Sequence, residues 1–141
     1  MICTMVPADL INTCWDKIEP YLEKACKYSY GRYNTEDLRE MIEEGIFHLW
    51  IAYNKEEERF YGAVVTQFMA YPRVKYLSLS FCGGKELIKW QKPMLNILRK
   101  FATDTGCEGL EAAARRGWAK LLEKEGYQSR WVTFDLPLEG A

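Results

Sequence analysis

The chain has 141 residues, which is enough for one domain with a substantial core and too few for two ordinary domains. Hydrophobic residues make up 48% and charged residues 28% of it, a composition typical of a globular protein. The net charge of −1 gives no overall electrostatic footprint for nucleic acid, although it leaves a local basic face open.

The first part of the chain predicts a short strand followed by a long helix. Residues 2–6 alternate weakly between apolar and polar side chains, as a strand does. Apolar residues then recur at helical spacing over 8–27, and Pro20 is expected to kink or split this helix. The connection 28–33 is rich in aromatic residues.

A second helix and three strands follow. Asn34, with acidic residues directly behind it, is typical of a helix N-cap, and Gly45 is typical of a helix end. The period then changes, and the runs 47–53, 60–71 and 74–81 predict an antiparallel meander.

The last part of the chain predicts two helices that alternate with two strands. A helix that ends at Gly106 contains Pro93, so it either kinks there or begins there after a separate turn. The short apolar run 109–114 predicts a strand, 116–126 a last helix, and 130–136 a final strand.

The predicted order is β-α-α-β-β-β-α-β-α-β, and the crossover within 74–114 requires a parallel pair of strands in an otherwise antiparallel sheet. This order resembles the GNAT superfamily of acyl-CoA-dependent N-acyltransferases. The resemblance implies a single α/β domain, 1–141, with a mixed sheet. Members of the family usually have one more C-terminal strand, which is expected here to be missing or donated by a partner.

The segment Phe81–Glu86 resembles the turn with which this family holds the pyrophosphate of its cofactor, although its two glycines are adjacent rather than spaced. Backbone N–H groups at such a turn can converge on an anion. The alternative is a tight strand-to-helix turn without a ligand, in which glycine supplies positive φ. The resemblance implies acetyl-CoA or a related acyl-CoA as cofactor, and the expected binding residues are Ser80, Cys82, Gly83, Gly84 and Lys85.

The catalytic groups follow from the same resemblance. The thioester carbonyl is expected near the backbone of residues 78–80, because the family frees a backbone N–H at a bulge in this strand. Strand alternation places Tyr76 with Ser78 and Ser80 on one face, and Leu79 with Phe81 on the other. Glu111 is a candidate general base that is either exposed at the strand edge or directed into the cleft.

The family's usual proton donor, a tyrosine four residues before the last helix's terminal glycine, corresponds to Leu122, which carries no proton to donate. Tyr127 and Tyr76 are the tyrosines expected nearby, although Tyr127 matches an aromatic position that normally packs in the core. Arg115 and Arg116 either bind the ribose phosphate of the cofactor or are solvated.

The residues Cys82-Gly83-Gly84, Trp90 and Arg116-Gly117-Trp118 are similar to those of a divergent GNAT-like group carried by tailed bacteriophages. Two classes of function are therefore open. One is an acetyltransferase that acts on a small-molecule or protein amine. The other is a non-catalytic GNAT-like module that binds a protein partner or itself, with a virion protein as one form of it.

Five cysteines without a C-x-x-C pair, together with a single histidine, offer no Cys/His metal set. They indicate free thiols in a reducing cytoplasm. No apolar run approaches the roughly 18 residues that span a bilayer, and the N-terminus shows no signal-peptide pattern. We therefore expect a cytoplasmic protein, in the host cytoplasm or the virion if it is phage-encoded, with no membrane partner and no metal.

Overall fold

A computed structural model describes residues 1–138. Its strands and α-helices are β1 (Ile2–Val6), α1 (Trp15–Lys27), α2 (Thr35–Glu43), β2 (His48–Asn54), β3 (Arg59–Ala70), β4 (Lys75–Gly84), α3 (Gln91–Asp104), β5 (Gly109–Ala112) and α4 (Arg116–Lys124). Two 3₁₀ segments, Ala8–Thr13 and Leu87–Lys89, precede α1 and α3. No helix within 1–138 combines the length and the apolar composition needed to cross a membrane.

The five strands form one sheet in the order β1-β2-β3-β4-β5. The first four strands pair antiparallel, whereas β4 and β5 are parallel and adjacent, with Tyr76 opposite Gly109 and Leu79 opposite Ala112. The predicted α/β fold with a mixed sheet is therefore confirmed.

Two hydrophobic clusters cover the two faces of this sheet. The face that we call the α1–α2 face packs against the first two helices through a cluster that includes Ile18, Leu22, Leu38, Leu49 and Phe81. The opposite α3–α4 face packs through a cluster that includes Trp50, Leu77, Leu79, Trp90 and Leu98. The sheet is thus the middle layer of three, with helices on both sides.

The first predicted helix divides at Cys14 and not at Pro20. Cys14 leaves helical geometry with φ −134°, which separates the 3₁₀ segment from α1. Helix α1 continues through Pro20, because Ile18 and Leu22 on either side of it are fully buried and hold the helix against the sheet. Tertiary packing here outweighs the local preference of proline.

The predicted final strand over 130–136 does not form. Residues 128–138 have no strand partner in the part of the chain that the structure describes. The segment instead reaches the α1–α2 connection, where Asp135 lies 3.9 Å from Arg32. An alternating pattern is not enough, because a strand also needs a partner strand that completes its backbone hydrogen bonds.

Candidate active site

A β-bulge in β4 lies at Ser80. Phe81 pairs with Val65 and Leu79 pairs with Thr66, so Ser80 has no partner of its own on β3. The extra residue moves Phe81 into the cluster on the α1–α2 face, while Leu79 remains on the α3–α4 face. The sequence prediction that these two share a face is therefore wrong, because strict alternation fails at a bulge.

The pairing between β4 and β5 ends beside this bulge. The parallel pairing ends at Leu79 and Ala112, whereas β4 continues to Gly84. Within residues 1–138, the stretch 80–84 thus has β3 on one side and no strand on the other. We call this side of β4, which has no strand partner from Ser80 onward, the slot.

A row of polar side chains runs below the bulge on the α1–α2 face. The Ser80 hydroxyl accepts a hydrogen bond from the Gln67 amide at 3.1 Å and lies 3.1 Å from the Ser78 hydroxyl. Tyr76 continues the row, and all four side chains are half-buried. The predicted grouping of Tyr76, Ser78 and Ser80 on one face is what the structure shows.

Glu111 faces the same surface from β5. Its carboxylate accepts a hydrogen bond from the Tyr71 hydroxyl, and this bond raises the pKa of Tyr71. The Tyr71 ring makes an edge-to-face contact with Tyr76 at 6.3 Å between ring centroids. Glu111 is half-buried, between the two positions that the sequence left open. The structure thus brings Tyr76 and Glu111 together on one partly open surface.

Gly83 and Gly84 are the last two residues of β4, which corrects their assignment to a turn. A methyl group added at Gly83 would lie 2.2 Å from the carbonyl oxygen of Tyr21 in α1. Gly84 lies opposite Gly62, and the buried Trp90 indole covers both of them from the other face. These glycines permit close packing on the two sides of the sheet, and neither has positive φ.

The chain turns at Lys85 and Glu86 instead. The Lys85 N–H donates to the Tyr61 carbonyl at 2.8 Å, so it is not free to bind an anion. Since backbone groups alternate along an antiparallel pair, the N–H of Gly84 points away from β3. Glu86 has φ +47°, and its carboxylate pairs with Lys89 at 2.9 Å, which lowers the pKa of Glu86.

A cavity of about 270 Å³ lies at the end of β4, between the last turn of α1 and the first turn of α4. Its lining combines the two glycines with basic and apolar groups, namely Lys24, Ala25, Gly83, Gly84, Leu87, Arg115, Gly117 and Trp118. Two cations beside backbone N–H groups and the start of a helix suit a phosphate group. Of the five expected cofactor residues, Gly83 and Gly84 line this cavity.

Arg115 closes one side of the cavity. Its guanidinium carbon lies 4.0 Å above the centre of the Tyr28 ring, which caps the C-terminal end of α1. This cation–π contact holds Arg115 at the mouth of the cavity, between α4 and α1. Sequence reasoning had identified Arg115 but missed Lys24, because a lysine in an amphipathic helix carries no signal of a partner 90 residues away in the chain.

Tyr127 and Cys82 lie on the α3–α4 side. Both pack against the cluster that contains the buried Leu122, and the Tyr127 N–H donates to the Leu122 carbonyl at 2.9 Å. Burial raises the pKa of the Cys82 thiol to about 12, and burial with the neighbouring Cys82 raises the pKa of Tyr127 to about 12. Tyr127 is thus separated from Tyr76 by the sheet.

The described residues hold no group of three or more His, Cys, Asp or Glu side chains placed to bind a metal ion. What the site offers is a basic cavity that suits a phosphate, a backbone bulge at the start of an open slot, and a carboxylate with tyrosines below it. This arrangement suits transfer of a group from a phosphate-bearing carrier to an acceptor on the α1–α2 face.

Solved structures of acetyltransferases have the same fold. A probable acetyltransferase superposes with a TM-score of 0.74 at 14% identity over 100% of both chains. A ribosomal-protein-alanine N-acetyltransferase from Brucella melitensis biovar Abortus 2308 gives 0.71 at 12% identity, over 98% of this chain and 100% of its own. An aminoglycoside acetyltransferase from an uncultured soil metagenomic sample, in complex with sisomicin, gives 0.70 at 11% identity over 98% and 96%.

No family model matches the chain, and no curated protein sequence matches it. The structural likeness therefore establishes the fold, which is the GNAT-like α/β fold of these acetyltransferases.

Proposed function

We propose that this protein is an acyl-CoA-dependent N-acyltransferase, with acetyl-CoA as the first candidate donor and an amine as the acceptor. The observation that carries the proposal is the slot beside Ser80. It begins at a β-bulge, and β4 leads from there to a cavity lined by Lys24 and Arg115. A thioester with a phosphate-bearing tail needs both features in this order.

The cavity would hold the pyrophosphate of the cofactor. Lys24 and Arg115 supply positive charge, and the exposed Gly84 turns its N–H away from β3. The Glu86 carboxylate is not among the lining residues, and its ion pair with Lys89 offsets its negative charge. Acyl-CoA would supply the acyl group as an activated thioester.

The surface below the bulge would hold the amine. The Glu111 carboxylate is the group that we assign to accept the proton of the amine, directly or through a water molecule. A backbone N–H at the Ser80 bulge would donate a hydrogen bond to the oxygen of the reacting carbonyl, where negative charge develops. Tyr127 packs in the apolar cluster on the α3–α4 side, across the sheet from Tyr76, so we propose that the leaving thiolate takes its proton from solvent.

The two classes of amine acceptor that the structural neighbours suggest can be compared in one assay. Structural neighbours include an enzyme named for a ribosomal-protein alanine and enzymes named for aminoglycosides. We propose that one of these two amine classes, peptide or aminosugar, is accepted here. Acetyl-CoA-dependent release of free thiol, measured with a panel of both, decides between them.

The variant Glu111→Gln tests the assigned base. We expect kcat to fall by about 10²-fold or more, because a positioned proton acceptor contributes that much. The matched control is Glu108→Gln, an exposed glutamate three residues earlier. Equal rates for Glu111→Gln and the wild type, or no acceptor-dependent thiol release with either amine class, would refute the proposal.

A second candidate function is a non-catalytic interaction module, which would include the virion-associated role. The exposed apolar side chains of the C-terminal segment favour it, since Trp131 is 75% and Phe134 89% exposed. A protein that shows no stabilisation by millimolar acetyl-CoA in a thermal-shift assay, and that is found in purified virus particles of its source, would support this candidate over the enzyme.

A further inference from the structure

The sheet ends in an open edge at β5. Within residues 1–138, this strand pairs with β4 on one side and has no strand on its other side. Such an edge presents unpaired backbone N–H and C=O groups, and proteins normally cover or protect it. No proline lies in β5, and its one charged side chain, Glu111, is turned toward Tyr71. The edge is therefore open to another strand.

The C-terminal segment has the opposite property, being strand-like in sequence but without a sheet. From residue 132 on, its apolar side chains alternate, and Val132, Phe134 and Leu136 are 72%, 89% and 82% exposed. The ion pair that links Asp135 to Arg32 is long, at 3.9 Å, and both side chains are at least half exposed. A surface ion pair of this kind contributes little stability, so the segment is free to pair elsewhere.

The two faces of β5 match the two faces of this segment. Leu110 and Ala112 pack toward the apolar cluster of the α3–α4 face, whereas Glu111 reaches the polar α1–α2 face. In an extended segment, Val132, Phe134 and Leu136 share one side, and Thr133 and Asp135 share the other with Trp131. A strand added at the edge of β5 would continue both the apolar face and the polar face.

We propose that residues 130–136 of one copy of this chain pair with the β5 edge of a second copy, and that the second copy returns the same contact. Every copy carries both an open edge and an unpaired segment, and its own segment lies beside Arg32 rather than at its own β5. When two copies exchange this segment about a two-fold axis, both β5 edges and both C-terminal segments are paired. No edge is then left for a third copy, so the assembly is a closed dimer. This inference does not depend on acyl transfer.

The first test is the mass of the full chain in solution. Sedimentation over about a hundredfold range of concentration should show a dimer of the 16.5 kDa chain that dissociates on dilution. The variant Phe134→Lys puts a charge on the apolar side of the segment and should weaken the dimer by about tenfold or more. The matched control Thr133→Lys adds the same charge on the other side and should leave the dimer within about threefold of wild type.

Amide hydrogen exchange locates the contact. In the full chain, amides of 109–112 and of 131–136 should exchange slowly, and a chain that ends at Ser129 should lose the protection of β5. A strict monomer with fast exchange in both segments would overturn the proposal. A monomer with slow exchange would also overturn it, because the segment would then pair with β5 of its own chain. A dimer that neither Phe134→Lys nor the truncation weakens would overturn it as well. Because these readouts need no acyl-CoA, their outcome is independent of whether the protein is an enzyme.

Discussion

The change Gly83→Ala tests the packing of α1 on the end of β4. An added methyl group would lie 2.2 Å from the Tyr21 carbonyl oxygen, and ordinary contact begins at 3.4 Å. Helix α1 would have to move by about 1 Å, yet Ile18 and Leu22 hold it by fully buried side chains. We therefore expect a loss of about 3 kcal/mol of unfolding free energy, at the upper end of ordinary overpacking.

Thermal unfolding followed by circular dichroism measures this loss, which corresponds to a melting temperature lower by about 10 °C for a domain of this size. The matched control is Gly117→Ala in the first turn of α4, where an added methyl group meets nothing within 4 Å. Alanine should stabilise that position by about 0.5–1 kcal/mol, because it loses less backbone entropy than glycine in a helix. If Gly83→Ala has the same melting temperature as the wild type, Gly83 is not required for the close contact between β4 and α1.

Three further predictions concern single side chains. Leu122→Ala should lower the free energy of unfolding, measured with urea, by about 2–5 kcal/mol because Leu122 is buried. It should leave kcat unchanged, since leucine donates no proton. A fall in kcat at full folding would show that the position matters chemically. Asn34→Ala should lower the unfolding free energy by about 1 kcal/mol, because it removes the side chain that accepts from the Asp37 N–H. Glu40→Ala, at an exposed position later in the same helix, is its control. An unchanged urea midpoint would contradict the capping role. Folding raises the pKa values of Cys82 and Tyr127 to about 12. As the pH rises, the unfolded chain therefore loses these two protons at a lower pH than the folded chain does. The unfolding free energy should stay constant below about pH 9 and fall between about pH 9 and 12. The fall should be shallower in Cys82→Ala, and an identical pH profile for that variant would count against a buried thiol.

Local signals in the sequence predicted local structure well. Asn34 forms the expected cap, here a reciprocal capping box with Asp37. Pro93 lies in the first turn of α3, after a separate 3₁₀ turn, which is one of the two alternatives left open. The helix between 74–81 and 109–114 correctly predicted that these two strands are parallel. A strand–helix–strand crossover is nearly always right-handed, and its length leaves few other ways to place the second strand.

The errors arose where contacts distant in sequence decide the structure. Gly83 and Gly84 read as a turn, yet they extend β4 because α1 and Trp90 approach them closely. The bulge at Ser80 depends on pairing with β3, so the alternation within β4 alone could not reveal it. Within the site, the neighbourhood of Tyr76 and Glu111 follows from strand register, and Lys24 joins the cavity only through the packing of α1.

The most direct test of the proposed function is calorimetric titration of the full chain with acetyl-CoA. We predict saturable heat from one site per chain, at least about tenfold weaker binding by Arg115→Glu, and unchanged binding by Arg130→Glu, an exposed arginine that does not line the cavity. No heat at millimolar acetyl-CoA, or equal binding by Arg115→Glu and the wild type, would contradict the account.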